Sequence, residues 1–113
     1  MYKDALRAAW AEINITNLDF NIKQITETVG SGVKIAGVVK ADAYGPGSVR
    51  VATVLRANGI ESFAVATLSE AVRLRKAGFL LEEIMVLSPI PEPYIDTIIE
   101  HRLSPVVCDY KNA

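Results

Sequence analysis

The spacing of apolar positions changes period several times along the chain, and each change falls at a turn signal. Residues 11–15, AEINI, alternate as a half-exposed strand does. From Thr16 onward, Leu18, Ile22, Ile25 and Val29 recur at helical spacing, with Thr16 as the expected N-cap and Gly30-Ser31-Gly32 as the stop. The run KIAGVVK, residues 34–40, is short, apolar and rich in β-branched residues, which predicts a buried strand. Residues 48–57 predict a helix that Asn58-Gly59 ends.

The cycle then repeats. SFAVAT (62–67) predicts a strand, and Thr67-Leu-Ser-Glu70 is a capping-box pattern opening a helix that Gly78 closes. EIMVLS (83–88) predicts a third buried strand, interrupted by Pro89, Pro91 and Pro93 before a helix over about 94–101. SPVVCD (104–109) predicts a fourth. This alternation is that of βαβ units on a parallel sheet. Two architectures share the rhythm: an open doubly wound sheet, and part of a closed barrel of eight strands, which needs about 250 residues.

Composition narrows the function classes. With 113 residues, half of them hydrophobic and 22% charged, the chain has the make-up of one globular domain. The net charge of −1 comes without a basic face or a Lys/Arg run, so nucleic acid is not an expected partner. Apolar runs are short, and MYKDALRAAW places charges where a leader would need its apolar centre, so no membrane association is expected and the cytoplasm is the expected compartment. The single Cys108 cannot form an internal disulfide and reads as a small buried hydrophobe. With one His and no clustered carboxylates at ligand spacing, no metal site is expected.

The chemistry concentrates in IAGVVKADAYGPG, residues 35–47. Lys40 lies at the carboxyl end of a predicted strand, where functional groups collect in both architectures, and alternation puts it on the same side as Val38. A desolvated lysine is a nucleophile suited to carbonyl substrates or pyridoxal phosphate, and the glycines beyond it allow backbone N–H groups close to an anion. A lysine that reaches from the sheet rim to water is the plainer alternative. A non-covalent phosphate-binding α/β module is another, although GPG matches neither the dinucleotide fingerprint nor the P-loop.

VVKADAYGPG resembles the cofactor-lysine motif of the alanine racemases, V-V-K-A-[ND]-A-Y-G-H-G. WAEINITNLDFNIKQI, FAVATLSEAVRLRKAG and IMVLSPIP resemble the segments that flank it in that family. The resemblance implies a fold-type III pyridoxal-phosphate enzyme, an isomerase that interconverts L- and D-alanine for peptidoglycan, or a racemase of another small amino acid such as serine. It implies an α/β fold: residues 1–113 as the N-terminal part of a (β/α)8 TIM barrel, with about four parallel strands and a short N-terminal strand. The resemblance further implies that the rest of the barrel and a C-terminal β domain would lie outside these residues. Lys40 would hold the cofactor and act as one catalytic base. Tyr44 would bind its phosphate, and Val38 and Leu87 would lie near it. The family's second base is a tyrosine of the partner in a homodimer, so this chain alone is expected to be inactive. Pro46 stands where the family has histidine; proline suits the first turn of a helix.

Other polar residues carry plainer expectations. His101 is expected to cap a helix end, Asp42 to cap a local turn, and Trp10 to meet the missing β domain or pack on the first helix. Four strands cannot close a barrel, so FAVA and IMVL are expected to expose apolar side chains, which favours self-association.

Overall fold

The computed structural model describes residues 9–111 and 113. The MYKDALRA opening, with its charges, lies outside them. Helix α1 spans Ile15–Val29, strand β1 Ala36–Val38, helix α2 Ser48–Ala57 and strand β2 Ser62–Val65. Helix α3 spans Leu68–Lys76, strand β3 Glu83–Val86, helix α4 Ile95–Glu100 and strand β4 Ser104–Pro105. A tight turn, Lys40–Ala43, follows β1, and a 3-10 turn, Glu92–Tyr94, leads into α4.

The four strands form one parallel sheet in the order β1-β2-β3-β4, with Val38 opposite Ala64 and Ala64 opposite Met85. That order decides between the two architectures. A doubly wound sheet reverses its strand order at a switch point, whereas here each strand pairs with the next in sequence, as in a barrel wall.

One face of the sheet carries the core. Gly37, Phe63, Val65, Ile84 and Val86 are buried, as is Val39 just past β1, and α2 and α3 supply Ala52, Leu55, Ala71 and Leu74 against them. Phe63 meets Phe79 edge-to-face at 5.4 Å, and the Arg56 guanidinium lies 4.3 Å over the Phe79 ring. A Cβ on Gly37 would collide with Leu55 Cδ1, so glycine there sets how closely α2 approaches β1. The expected exposure of FAVA and IMVL therefore needs correction. Phe63, Val65, Ile84 and Val86 point into the helix layer, and of the residues on the other face Ala64 is buried and Met85 half-buried. Val38 and Leu87 are large apolar residues left open on that face.

Boundary expectations also change. Residues 11–14 form no strand, because nothing among the described residues pairs with them as a strand; the Asn14 side chain instead accepts the Asn17 N–H at 2.9 Å and caps α1, a role expected of Thr16. β4 stops at Pro105, which has no N–H to donate, although Val106 N–H still donates to the Val86 carbonyl at 3.2 Å. β3 and β2 are shorter than predicted at their carboxyl ends because the chain turns into loops there. The capping box at α3 is present as predicted, with the Thr67 hydroxyl and the Glu70 carboxylate each accepting the other's backbone N–H.

Below the sheet, Arg75 ties two loops together. Its guanidinium donates to the carbonyls of Phe79, Glu82 (2.8 Å), His101 (2.8 Å) and Arg102 (2.9 Å), so the α3–β3 and α4–β4 connections share one buried fork. Arg102, at φ 49, is held left-handed beside it. Replacing Arg75 with Met leaves these carbonyls without their donor and is expected to cost about 3 kcal/mol. Denaturant unfolding checks this, with Arg75→Lys intermediate because an ammonium cannot reach both loops at once.

Candidate active site at the end of strand β1

β1 delivers the lysine motif to the carboxyl edge of the sheet. Val39 N–H still donates to the Ala64 carbonyl at 2.9 Å, but the backbone turns there (φ −117, ψ 19), so the chain leaves the sheet one residue before Lys40. Burial alternates through this point: Gly37 and Val39 are buried, Val38 is 49% exposed and Lys40 is half-buried. Lys40 therefore stands just past the carboxyl end of β1, half-buried, two residues after the exposed Val38.

The next four residues are all left-handed: Ala41 (φ 51), Asp42 (φ 55), Ala43 (φ 55) and Tyr44 (φ 60). A non-glycine residue pays about 1 kcal/mol or more for that conformation. Small side chains at 41 and 43 keep the steric conflict low, and hydrogen bonds hold the turn. Tyr44 N–H donates to the Ala41 carbonyl at 2.9 Å, and the Asp42 carbonyl accepts from Gly45 (3.2 Å) and Gly47 (2.9 Å). Both glycines have positive φ. Asp42 Oδ1 also accepts the Ser48 N–H at 2.9 Å, so the expected local cap is present and joins the turn to the start of α2. Arg73 approaches the same oxygen at 3.8 Å, an exposed pair of small energetic weight. Pro46 lies ahead of the helix, whose N-cap is Gly47; its place is in the turn and not in the first turn of α2.

A second carboxylate reaches this turn from another unit. Glu70 Oε1 accepts the Ala41 N–H at 2.8 Å, while Oε2 accepts those of Ala66 at 2.7 Å and Thr67 at 3.1 Å. Burial alone would raise the Glu70 carboxyl, but the backbone donors outweigh it and hold its pKa below the ordinary 4.5. A lowered folded-state value means that its contribution is complete above the ordinary value and is lost as pH falls through the lower one. The sequence flagged Glu70 as a capping-box residue; its bond to Ala41, 29 residues away, had no sequence signal.

Tyr44 follows Lys40 by four residues and is 70% exposed; Leu87, 45% exposed, lies two strands away on the Val38 face, with its N–H on the Val65 carbonyl at 2.9 Å. A separate cavity of about 790 Å³ lies between α3 and the β3–α4 loop, lined by Leu68, Val72, Pro89, Ile90 and Tyr94, and does not include Lys40. His101 ends α4 as expected, through its backbone. Cys108 is exposed, a correction explained by the early end of β4, which leaves residues 107–111 without a covering layer. Trp10 is 58% exposed, with its indole N–H 3.3 Å from Glu12. Among the described residues no group of three or more His, Cys, Asp or Glu could hold a metal ion, and no helix is long and apolar enough to cross a membrane.

A model of the alanine racemase N-terminal domain matches residues 13–113. The chain belongs to the alanine racemase family. It is 45% identical over 107 residues to an alanine racemase of Clostridium kluyveri, covering 95% of this chain and 27% of that protein. An alanine racemase structure from Clostridium difficile superposes with a TM-score of 0.84 at 36% identity, over 92% of this chain and 28% of the other. One from Bartonella henselae, described with covalently bound pyridoxal phosphate, shares the fold with a TM-score of 0.80 at 24% identity, over 88% of this chain and 28% of the other. The chain thus spans little more than a quarter of its alanine racemase relatives, and its four parallel strands with the helices between them form part of a TIM barrel.

The left-handed turn gives a test of its own. Ala41→Gly removes a Cβ from a position at φ 51 and is expected to stabilise the protein by about 0.5–1 kcal/mol, whereas Ala41→Val destabilises it. Thermal unfolding of both variants checks the sign.

Proposed function

We propose that these residues are the first part of a longer pyridoxal-phosphate-dependent alanine racemase, an isomerase that interconverts L- and D-alanine in the cytoplasm and supplies D-alanine for peptidoglycan. The observation that carries the proposal is Lys40 in VVKADAYG, half-buried just past the carboxyl end of β1. The donor set fits the portion of the cofactor it would touch. Lys40 offers a primary amine for the aldehyde, Tyr44 a hydroxyl for a phosphate oxygen, and Val38 and Leu87 apolar surface for the ring.

When bound, the cofactor would act as an electron sink that makes the substrate's Cα proton acidic. Lys40 Nζ would hold the cofactor and would take or return that proton on one face. Tyr44 Oη would fix the phosphate end, and Val38 and Leu87 would keep water from the ring. Racemisation also needs a base on the opposite face, which we assign to a tyrosine of a partner subunit in a homodimer. Alanine is the proposed substrate, another small amino acid such as serine being the alternative.

Borohydride reduction of the full-length protein with pyridoxal phosphate, followed by peptide mapping, is expected to place the pyridoxyl group on Lys40; a label on a different lysine would refute the assignment. Lys40→Ala should abolish attachment and turnover. Tyr44→Phe should chiefly weaken cofactor affinity, by roughly ten- to a hundredfold for one charge-assisted hydrogen bond.

Residues 1–113 alone should not racemise alanine and should associate with themselves. β1 and β4 are the sheet's edge strands, and Val38 and Leu87 lie open beside them. Sedimentation and a turnover assay on the isolated chain check both parts, and a soluble monomer or measurable turnover would contradict the corresponding one.

A further inference from the structure

We propose that Glu70 is a positioning residue for Lys40: its carboxylate fastens the peptide that follows the lysine to the end of β2, and so fixes where the amine stands. The proposal rests on the role given to Lys40 above. Its basis is the division of labour between the two carboxylate oxygens. Oε2 accepts two N–H groups of its own unit, Ala66 at 2.7 Å and Thr67 at 3.1 Å, which is all that a capping box requires. Oε1 is directed elsewhere, to the Ala41 N–H at 2.8 Å. That N–H belongs to the residue directly after Lys40, at the start of four successive left-handed residues. Among the described residues, Asp42 braces the far end of the same turn through Ser48 N–H at 2.9 Å, so the segment is held at both ends by carboxylates from different elements.

A carboxylate has acceptors on both oxygens, whereas a glutamine has one acceptor and one donor. In Glu70→Gln the carbonyl keeps the Ala66 and Thr67 donors, because two bonds outweigh one, and the amide NH2 then confronts the Ala41 N–H. This variant releases the lysine turn while sparing the helix cap. Thr67→Ala does the reverse: it removes the cap hydroxyl and leaves the Glu70–Ala41 bond in place.

The test measures, in the full-length protein, the rate at which pyridoxal phosphate becomes reducible onto Lys40, together with hydrogen exchange at the Ala41 N–H and the thermal midpoint. Glu70→Gln is expected to slow labelling roughly tenfold or more and to speed Ala41 exchange, with a fall in midpoint no larger than that of Thr67→Ala. Thr67→Ala should lower the midpoint and leave labelling within about twofold of wild type. Wild-type labelling kinetics in Glu70→Gln would overturn the proposal and leave the role of Lys40 standing. Equal slowing in both variants would also overturn it, by showing that only helix stability matters. Failure of the wild-type protein to label at Lys40 would overturn this proposal and the assigned function together.

Discussion

A parallel strand can reach its neighbour only by a crossover, and in this chain every crossover joins adjacent strands in sequence order. Repeating a right-handed crossover in one direction stacks the helices on one side of the sheet. That constraint separates the two faces chemically. The helix side is apolar and closed around Phe63, Phe79, Leu74 and Ile84. The other side is left to small or half-exposed residues, with Lys40 at its rim. The position of the candidate site therefore follows from winding, and the side chains of the core decide only how firmly the strands are held.

Much of this was legible in the sequence because periodicity reports burial. The helix from Leu68 starts where its capping box places it, and the one from Ser48 directly after the glycines. Strand existence was clear as well, since short β-branched runs between turn signals have few other uses. Strand ends were less legible: Val39 and Ala66 continue an apolar or small pattern, yet β1 and β2 end one residue before them. The AEINI segment shows the limit from the other side. Its alternation matches a strand, but a strand also needs a partner, and partners are a property of the whole sheet.

The residues missed at the sequence level share one property. Arg75 and Glu70 act on backbone groups far along the chain, at 26 to 29 residues' separation, and backbone groups carry no residue code. A glutamate in T-L-S-E announces a cap; nothing announces that its second oxygen will meet Ala41. Motif resemblance filled the gap for Lys40 and Tyr44, because there the side chains themselves are the signature. It could not show that the turn bearing them is left-handed, although the alanines and glycines of ADAYGPG are the residues such a turn tolerates best.

That left-handed turn also bears on the order in which the protein is assembled. Residues 41–44 do not favour the conformation by themselves, and the Ala41 N–H finds its acceptor only at Glu70. A chain emerging from the ribosome exposes Lys40 well before Glu70, at about 5–20 residues per second. The lysine turn consequently lacks its lock until the second βα unit has formed and docked. The final position of the peptide after Lys40 thus depends on a residue made 29 positions later in the chain.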